Sequence, residues 1–385
     1  MRIAGDWLAL PATRAVCAAL TARGDRALFV GGCVRNALLG RPVADIDIAT
    51  DALPERTIAL AEAAGLHPVP TGLAHGTVTI VADHRPFEVT TFRRDVETTG
   101  RHAVVAFTTD VAEDARRRDF TMNALYADPS GELVDPLGGL PDLLARRVRF
   151  VGEPAERIAE DYLRILRFFR IHAWYGDPAG GLDPDGLAAC AALQEGLDQL
   201  SRVRVGAEIS KLLAAADPAP AVAAMAAAGI LARILPGADP AGLAPLVHVE
   251  AAAGLAPDWR RRLAVLAGDP AWSEALRLSR ADARVVAAIR AALADGLAPA
   301  ASAWRHGADA ARDAVVIAAA MTDGRLPADL GPELARGAAA RLPIAASELA
   351  LQGPALGAAL RRAEAAWLAA DLRLDEAAVR AAAEG

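Results

Sequence analysis

Two carboxylates one residue apart, Asp45 and Asp47, sit in an otherwise apolar frame of Val43, Ile46 and Ile48. If this segment is extended, alternation puts both carboxylates on one face and Ile46 on the other. Charges in such a frame are costly without a counter-ion, and a hard divalent cation such as Mg²⁺ is the natural partner. A solvated turn is the plainer reading of Asp-x-Asp taken alone. Upstream, the apolar run Ala27-Leu28-Phe29-Val30 stops at Gly31-Gly32, and residues 34–39 carry a helix pattern. Paired glycines at a strand-to-helix turn let backbone N–H groups approach an anion, and the helix dipole favours it there. Acidic residues beside a phosphate cradle suit a metal ion bridging nucleotide phosphates, the chemistry of nucleotidyl transfer. Neither Gly-x-Gly-x-x-Gly nor a P-loop pattern is present here, which argues against a dinucleotide dehydrogenase and a P-loop NTPase.

Two further segments carry candidate chemistry. In Arg116-Arg117-Arg118-Asp119-Phe120-Thr121-Met122-Asn123, Arg118 could bind phosphate or a ribose hydroxyl while Asp119 fixes its guanidinium. An ion pair on the surface ahead of a helix is the alternative. From Glu160 to Gly176, apolar Leu163, Ile165, Leu166 and Phe169 mark one broad buried side of a helix. Asp161, Arg164, Arg167 and Arg170 recur every third residue. Asp161 and Arg164 can then share a face, with Arg167 near it and Arg170 drifting away toward a phosphate. A carboxylate and a guanidinium side by side match the donor and acceptor edges of cytosine and adenine. Uracil and guanine present the reverse order and are rejected. A charged outer face of a core helix is again the plainer alternative.

These residues need elements to position them. Apolar runs at 27–30, 43–49, 77–81, 87–92 and 103–107 predict strands, and residues 54–64 a helix. Past residue 152 only helix-period segments remain, broken by loops at 176–186, 236–245 and 322–332. The result is a mixed-sheet head followed by an all-helical arm, an α+β organisation in a chain of 385 residues. Hydrophobic content is 54%, much of it alanine after residue 210, and no uncharged run is long enough for a membrane span. The first residues lack the apolar core of a signal peptide, and Cys17, Cys33 and Cys190 lack metal-ligand spacing. Both features fit a reducing cytoplasm. A net charge of −7 argues against non-specific coating of nucleic acid but permits a specific RNA partner. Arg260-Arg261-Arg262 and Arg361-Arg362 read as solvated helix faces, or as contacts to RNA phosphates.

As a set, these segments resemble the class II tRNA nucleotidyltransferases and the related bacterial poly(A) polymerases. The Gly-Gly-x-x-Arg turn with Asp-x-Asp, the Arg-Arg-Asp-Phe-Thr-x-Asn-Ala motif and the Glu-Asp-x-x-Arg-x-x-Arg segment occur in order. So does the turn Asp135-Pro136-Leu137-Gly138-Gly139. The resemblance covers residues 27 to about 175, with a weaker echo in residues 342–367. It implies a polymerase-β-like nucleotidyltransferase head (1–150), a helical neck for base recognition and RNA binding (151–236), and a helical body and tail for tRNA (237–385). It further implies addition of C, C and A to a tRNA 3′ end from CTP and ATP, with Mg²⁺ and without a membrane or protein partner. Gly31, Gly32 and Arg35 would hold the triphosphate, and Asp45 and Asp47 the metal, with Glu88 a candidate third carboxylate. Arg118 and Asp119 would contact ribose and phosphate. Asp161 and Arg164 would read the base, supported by Arg167 and Arg170. Asn36 stands where many members have Asp. Residues 71–80 resemble a segment of CCA-adding members, and residues 93–109 are long enough for the flexible loop associated with the switch from C to A. Poly(A) polymerase is the rival reading, and an inactive RNA-binding scaffold the remote one.

Overall fold

A computed structural model describes residues 1–99, 102–266, 268, 271–322 and 324–385. The chain forms two compact units, Met1–Leu200 and Ser201–Gly385.

The first unit is built on strands β1 (Ala27–Val30), β2 (Asp47–Thr50), β3 (His67–Gly72), β4 (Thr77–Ala82) and β5 (Arg85–Thr91). They are followed by β6 (Arg93–Thr99), β7 (His102–Phe107), β8 (Tyr126–Ala127) and β9 (Leu133–Val134). Seven of them form one sheet in the order β3-β4-β5-β2-β1-β8-β9. The sheet is mixed, because β2 runs parallel to β5 and the remaining pairs are antiparallel. β1 lies well inside the sheet, and all four of its residues are buried. On one face Leu28 and Val30 pack with Ala49, Phe92, Ala124 and Tyr126. On the other, Phe29 meets the edge of Trp7 at 4.8 Å.

The five expected strands are present, but the second starts later than expected, at Asp47. Asp45 and Ile46 precede it in extended backbone. Four strands carry no periodic signal. β3 contains two prolines and lies at an edge, and β8 and β9 have two residues each. β6 is mostly polar and pairs only with β7. Within the segment 93–109, expected as a flexible loop, Arg93–Thr99 and His102–Phe107 therefore pair as antiparallel strands, and residues 100 and 101 lie outside the described residues. The helix expected at 54–64 is Pro54–Ala63.

The expected single helix through 160–176 is two. One ends at Glu160, and the next runs Leu163–Tyr175. Asp161 is extended between them (φ −153°, ψ 106°), and its Oδ1 accepts the Leu163 N–H at 3.1 Å. A short carboxylate side chain competes for an unpaired backbone donor and so starts a new helix rather than continuing the old one. Phe168 on this second helix stacks on Phe150 at 5.4 Å, and Phe150 lies 4.9 Å from Phe120. This aromatic column fixes the helix against the segment that follows Arg118-Asp119.

The second unit is helical throughout its described residues. Small side chains let its helices approach closely, as where Gly337 lies against the Ala300 carbonyl with no room for a Cβ. Arg261 and Arg262 correct the sequence-based expectation. Neither is solvated, and neither faces a phosphate. Arg261 donates to Glu250 (2.8 Å), Asp313 (3.0 Å) and the Ala256 carbonyl (2.8 Å). Arg262 is held by Glu250 (2.9 Å) and by the carbonyls of Leu213, Ala215 and Ala216. The partner carboxylates lie 11 or more residues away, beyond the reach of helical spacing. Arg260 alone stays near the surface, paired with Asp258 at 3.1 Å.

Candidate active site

The glycine turn begins where β1 ends. Gly31 has φ +69°, a conformation that L side chains rarely adopt, and its N–H donates to the Leu125 carbonyl at 3.2 Å. The helix Gly32–Leu38 starts at the next residue. A Cβ on Gly31 would lie 3.6 Å from Arg118 Nη1, so the guanidinium of one motif lies over the turn of another.

Asp45 and Asp47 follow the predicted alternation. Asp45 is exposed, Ile46 buried, Asp47 half-buried and Ile48 buried. Across the parallel ladder Asp47 is in register with Glu88. The Asp47 carboxyl is pushed up to about 6, first by burial and then by the charges of Glu88 and Asp45, with Arg118 pulling it back. A carboxylate crowded by two others suits a cation. Among the described residues, no group of three or more His, Cys, Asp or Glu side chains gathers closely enough to hold a metal by itself. The donor set nevertheless fits Mg²⁺, which is commonly held by one or two carboxylates while water and substrate phosphates complete its shell. Asp45 and Asp47 could supply those two, and Glu88 acts on Asp47 through its charge.

Arg118 and Asp119 are neighbours in sequence but not partners, contrary to the expectation that one fixes the other. Arg118 donates from Nε to the Tyr126 hydroxyl (2.9 Å) and from Nη2 to Asp114 (3.0 Å). Tyr126 in turn donates to Asp114 at 2.6 Å. Burial disfavours the Arg118 cation, but Tyr126 and Asp114 more than offset it and raise its pKa. Burial would likewise raise the Asp114 carboxyl, yet Arg118 and Arg117 hold it below the usual range. Asp119 points the other way, to Arg167 (Nε at 2.7 Å), the Asn123 amide (3.0 Å) and the Phe120 N–H (2.9 Å). Against the opposing effect of burial, Arg167 and Asn123 bring Asp119 down to about 2. The backbone bends at these two residues just past the helix Val111–Arg116, and Arg118 and Asp119 serve different webs.

Arg35 is also engaged from within. Its guanidinium donates to Asn123 (2.5 Å), the Tyr175 hydroxyl (2.8 Å) and Asn36 (3.1 Å), and stacks 3.7 Å from the Tyr175 ring centroid. Asn36 donates onward to the Pro42 carbonyl at 2.9 Å, a bond that an ionised Asp could not make. On the last helix of the site, Arg164 donates to Glu160 and to the carbonyls of Arg157 (2.6 Å) and Arg117 (3.4 Å). Arg170 lies half-buried one turn beyond Arg167. The turn at Asp135 is closed by its own carboxylate, which accepts the N–H groups of Gly139 and Leu140. Gly139 rests on the Thr121 carbonyl with no room for a Cβ, tying this turn to the Arg118 segment.

Asp114, Asn123, Tyr126 and Tyr175 were not singled out from the sequence as site residues. Asp114 carried a usable signal, since it lies four residues before Arg118. Tyr175 carried none, being 140 residues from Arg35.

Residues 27–149 match the family described as Poly A polymerase head domain, and residues 181–241 the one described as probable RNA and SrmB-binding site of polymerase A. Over 186 residues the chain is 44% identical to CCA tRNA nucleotidyltransferase 1, mitochondrial, of Homo sapiens, covering 48% of this chain and 43% of that protein. Over 198 residues it is 43% identical to a CCA-adding enzyme of Streptococcus gordonii, covering 51% and 48%. The match thus spans about half the length of these curated relatives. The fold is similar to the Bacillus stearothermophilus CCA-adding enzyme solved in complex with CTP, with a TM-score of 0.70, 29% identity and 94% of each chain covered.

Proposed function

We propose that this chain, which belongs to the tRNA nucleotidyltransferase/poly(A) polymerase family, adds C, C and A to the 3′ end of tRNA from CTP and ATP without a template. The observation that carries this reading is the meeting of Asp47, Arg118 and the Gly31 turn in one unit. The tRNA 3′-hydroxyl attacks the α-phosphate, a new phosphodiester forms, and the bond to the β-phosphate breaks to release pyrophosphate. Gly31 and Gly32 leave the backbone open to the triphosphate, and Arg118 Nη1 adds a fixed positive charge over it. Arg35 contributes the field of its buried charge rather than a free donor. Held by Asp45 and Asp47, a Mg²⁺ ion would lower the pKa of the attacking hydroxyl and offset charge on the departing pyrophosphate. Asp119 holds Arg167, and Glu160 holds Arg164, so both arginines stand on a braced helix, with Asp161 in the extended link just before it. In this reading Asp161 and Arg164 accept cytosine and adenine, with Arg170 reaching a phosphate. Residues 1–150 act as the head, 151–236 as the neck and 237–385 as the tRNA-binding body and tail.

Among the described residues no helix is long and apolar enough to cross a membrane. Three free, buried cysteines suit a reducing compartment, and we place the enzyme in the cytoplasm.

Poly(A) addition is the second reading, favoured by the description of the head-domain family. The deciding experiment incubates the protein and Mg²⁺ with tRNA lacking its terminal CCA, supplying CTP, ATP or both. Three added nucleotides with both present, followed by a stop, support CCA addition. A long ladder with ATP alone means poly(A) polymerase, and no extension with tight RNA binding means a scaffold.

A further inference from the structure

Arg118 is gripped along one edge of its guanidinium. Nε meets the Tyr126 hydroxyl, Nη2 meets Asp114 Oδ2, and the same Asp114 oxygen accepts the Tyr126 proton. The three groups close a ring of hydrogen bonds, and the Arg118 guanidinium carbon lies 5.0 Å from the Tyr126 ring centroid. What the ring leaves pointing outward is Nη1, over the Gly31 turn.

The anchors of this ring are themselves fixed. Tyr126 lies in β8, in register with Val30 at the end of β1, one residue before Gly31. Asp114 is fully buried, and its second oxygen accepts from Arg117 Nε (2.8 Å) and from the backbone N–H of Arg93 (3.3 Å), the first residue of β6. The ring therefore ties three parts of the head together: the strand that feeds the glycine turn, the base of the β6–β7 pair and the arginine motif.

We propose that Asp114 and Tyr126 are positioning residues that hold Arg118 by its Nε–Nη2 edge, so that the Nη1 edge meets the triphosphate of either nucleotide. A guanidinium held on a rigid fork loses little freedom when an anion arrives, which is where such a brace increases affinity. Neither residue touches substrate in this assignment. Both act through Arg118, and the assignment rests on the function proposed above.

The test uses the full-length chain. Tyr126→Phe keeps the ring and its packing but removes the hydroxyl that accepts from Arg118. The KM for CTP and for ATP should rise together by about tenfold, the usual scale for one lost hydrogen bond to a charged group. Turnover at saturation and the KM for tRNA should stay within about twofold. Adding Tyr126→Phe to Arg118→Ala should cause no further rise, because the hydroxyl would have nothing left to hold. Asp114→Asn supplies a second variant of similar shape and should raise both nucleotide KM values further.

Unchanged nucleotide KM in Tyr126→Phe would overturn the proposal, as would an effect that adds in full to Arg118→Ala. A fall in turnover with both KM values unchanged would mark a purely structural role and overturn it too. CTP binding without tRNA, followed by calorimetry, keeps the two readings apart. If the wild type binds CTP but does not extend tRNA, the proposed function fails, and weaker CTP binding by Tyr126→Phe still supports the brace. A wild type that binds no CTP overturns both.

Discussion

Two of the arginine–carboxylate webs, one in each unit, differ in one respect. In the second unit, every nitrogen of the Arg261 and Arg262 guanidinium groups meets a carboxylate or a carbonyl, and both residues are at most 2% exposed. In the first unit the Arg118 web stops short. Nε and Nη2 are engaged, while Nη1 lies over the glycine turn with its side chain 18% exposed. A closed web stabilises a particular packing of helices, and breaking one partner leaves a buried charge uncompensated. An open web keeps a donor ready for an anion. Counting basic residues in the sequence cannot separate these regions, because Arg116-Arg117-Arg118 and Arg260-Arg261-Arg262 are both runs of three.

The largest effect that separates the two regions should come from Asp47→Asn. Nucleotide addition is expected to fall by at least ~10³, a scale set by lost electrostatic stabilisation of a transition state. The melting temperature should hold or rise, since the native state already disfavours the Asp47 charge. Calorimetry and a single-turnover assay on one preparation check both halves. A variant that loses activity only in proportion to its stability would erase the distinction.

Next in size is Glu250→Gln, which leaves two buried guanidinium groups short of charge. The cost to unfolding should be about 3–5 kcal/mol in urea titration, while CTP added to the folded variant still raises its melting temperature. A cost below about 1 kcal/mol would mean that the web is not closed.

Asp119 offers a pH test within the first unit. Its folded-state pKa, about 2, is below the ordinary 3.8, so its contribution is full above pH 4 and disappears as pH falls from 4 through 2. Asp119→Asn should therefore be less stable than the wild type at pH 7 by on the order of 2 kcal/mol, with the gap closing toward pH 2. A gap independent of pH would show that Asp119 contributes packing and not charge.

The smallest effect is expected at Arg260, whose ion pair is partly solvated. Arg260→Ala should cost less than about 1 kcal/mol, despite its standing beside Arg261 and Arg262. A larger loss would extend the closed web to the surface.

How legible these regions were follows from the range of the forces that form them. Gly31-Gly32 and the Asp45–Asp47 alternation rest on local backbone preference and were readable. So were the helical arm and most strands of the head sheet. The break at Asp161 was hidden because apolar spacing continues through it, while a single side-chain bond to the Leu163 N–H decides the matter. Arg118 was readable as a candidate site residue but its hold was not, because the carboxylate next to it in sequence faces Arg167. Tyr175 on Arg35 and Glu250 on Arg261 join residues that only the folded chain brings together, and no periodicity encodes such pairs.

The three thiols have a practical consequence. Cys17, Cys33 and Cys190 are all buried, burial raises each of their pKa values, and all lie in Met1–Leu200. A native chain should thus resist alkylation, and the rate at which a maleimide consumes its sulfhydryls becomes a clock for opening of the Met1–Leu200 unit alone. The helical half carries no such reporter, so any loss of ellipticity that outruns labelling belongs to it. One mass spectrum per time point would then assign an unfolding event to one half of the chain, with no engineered probe.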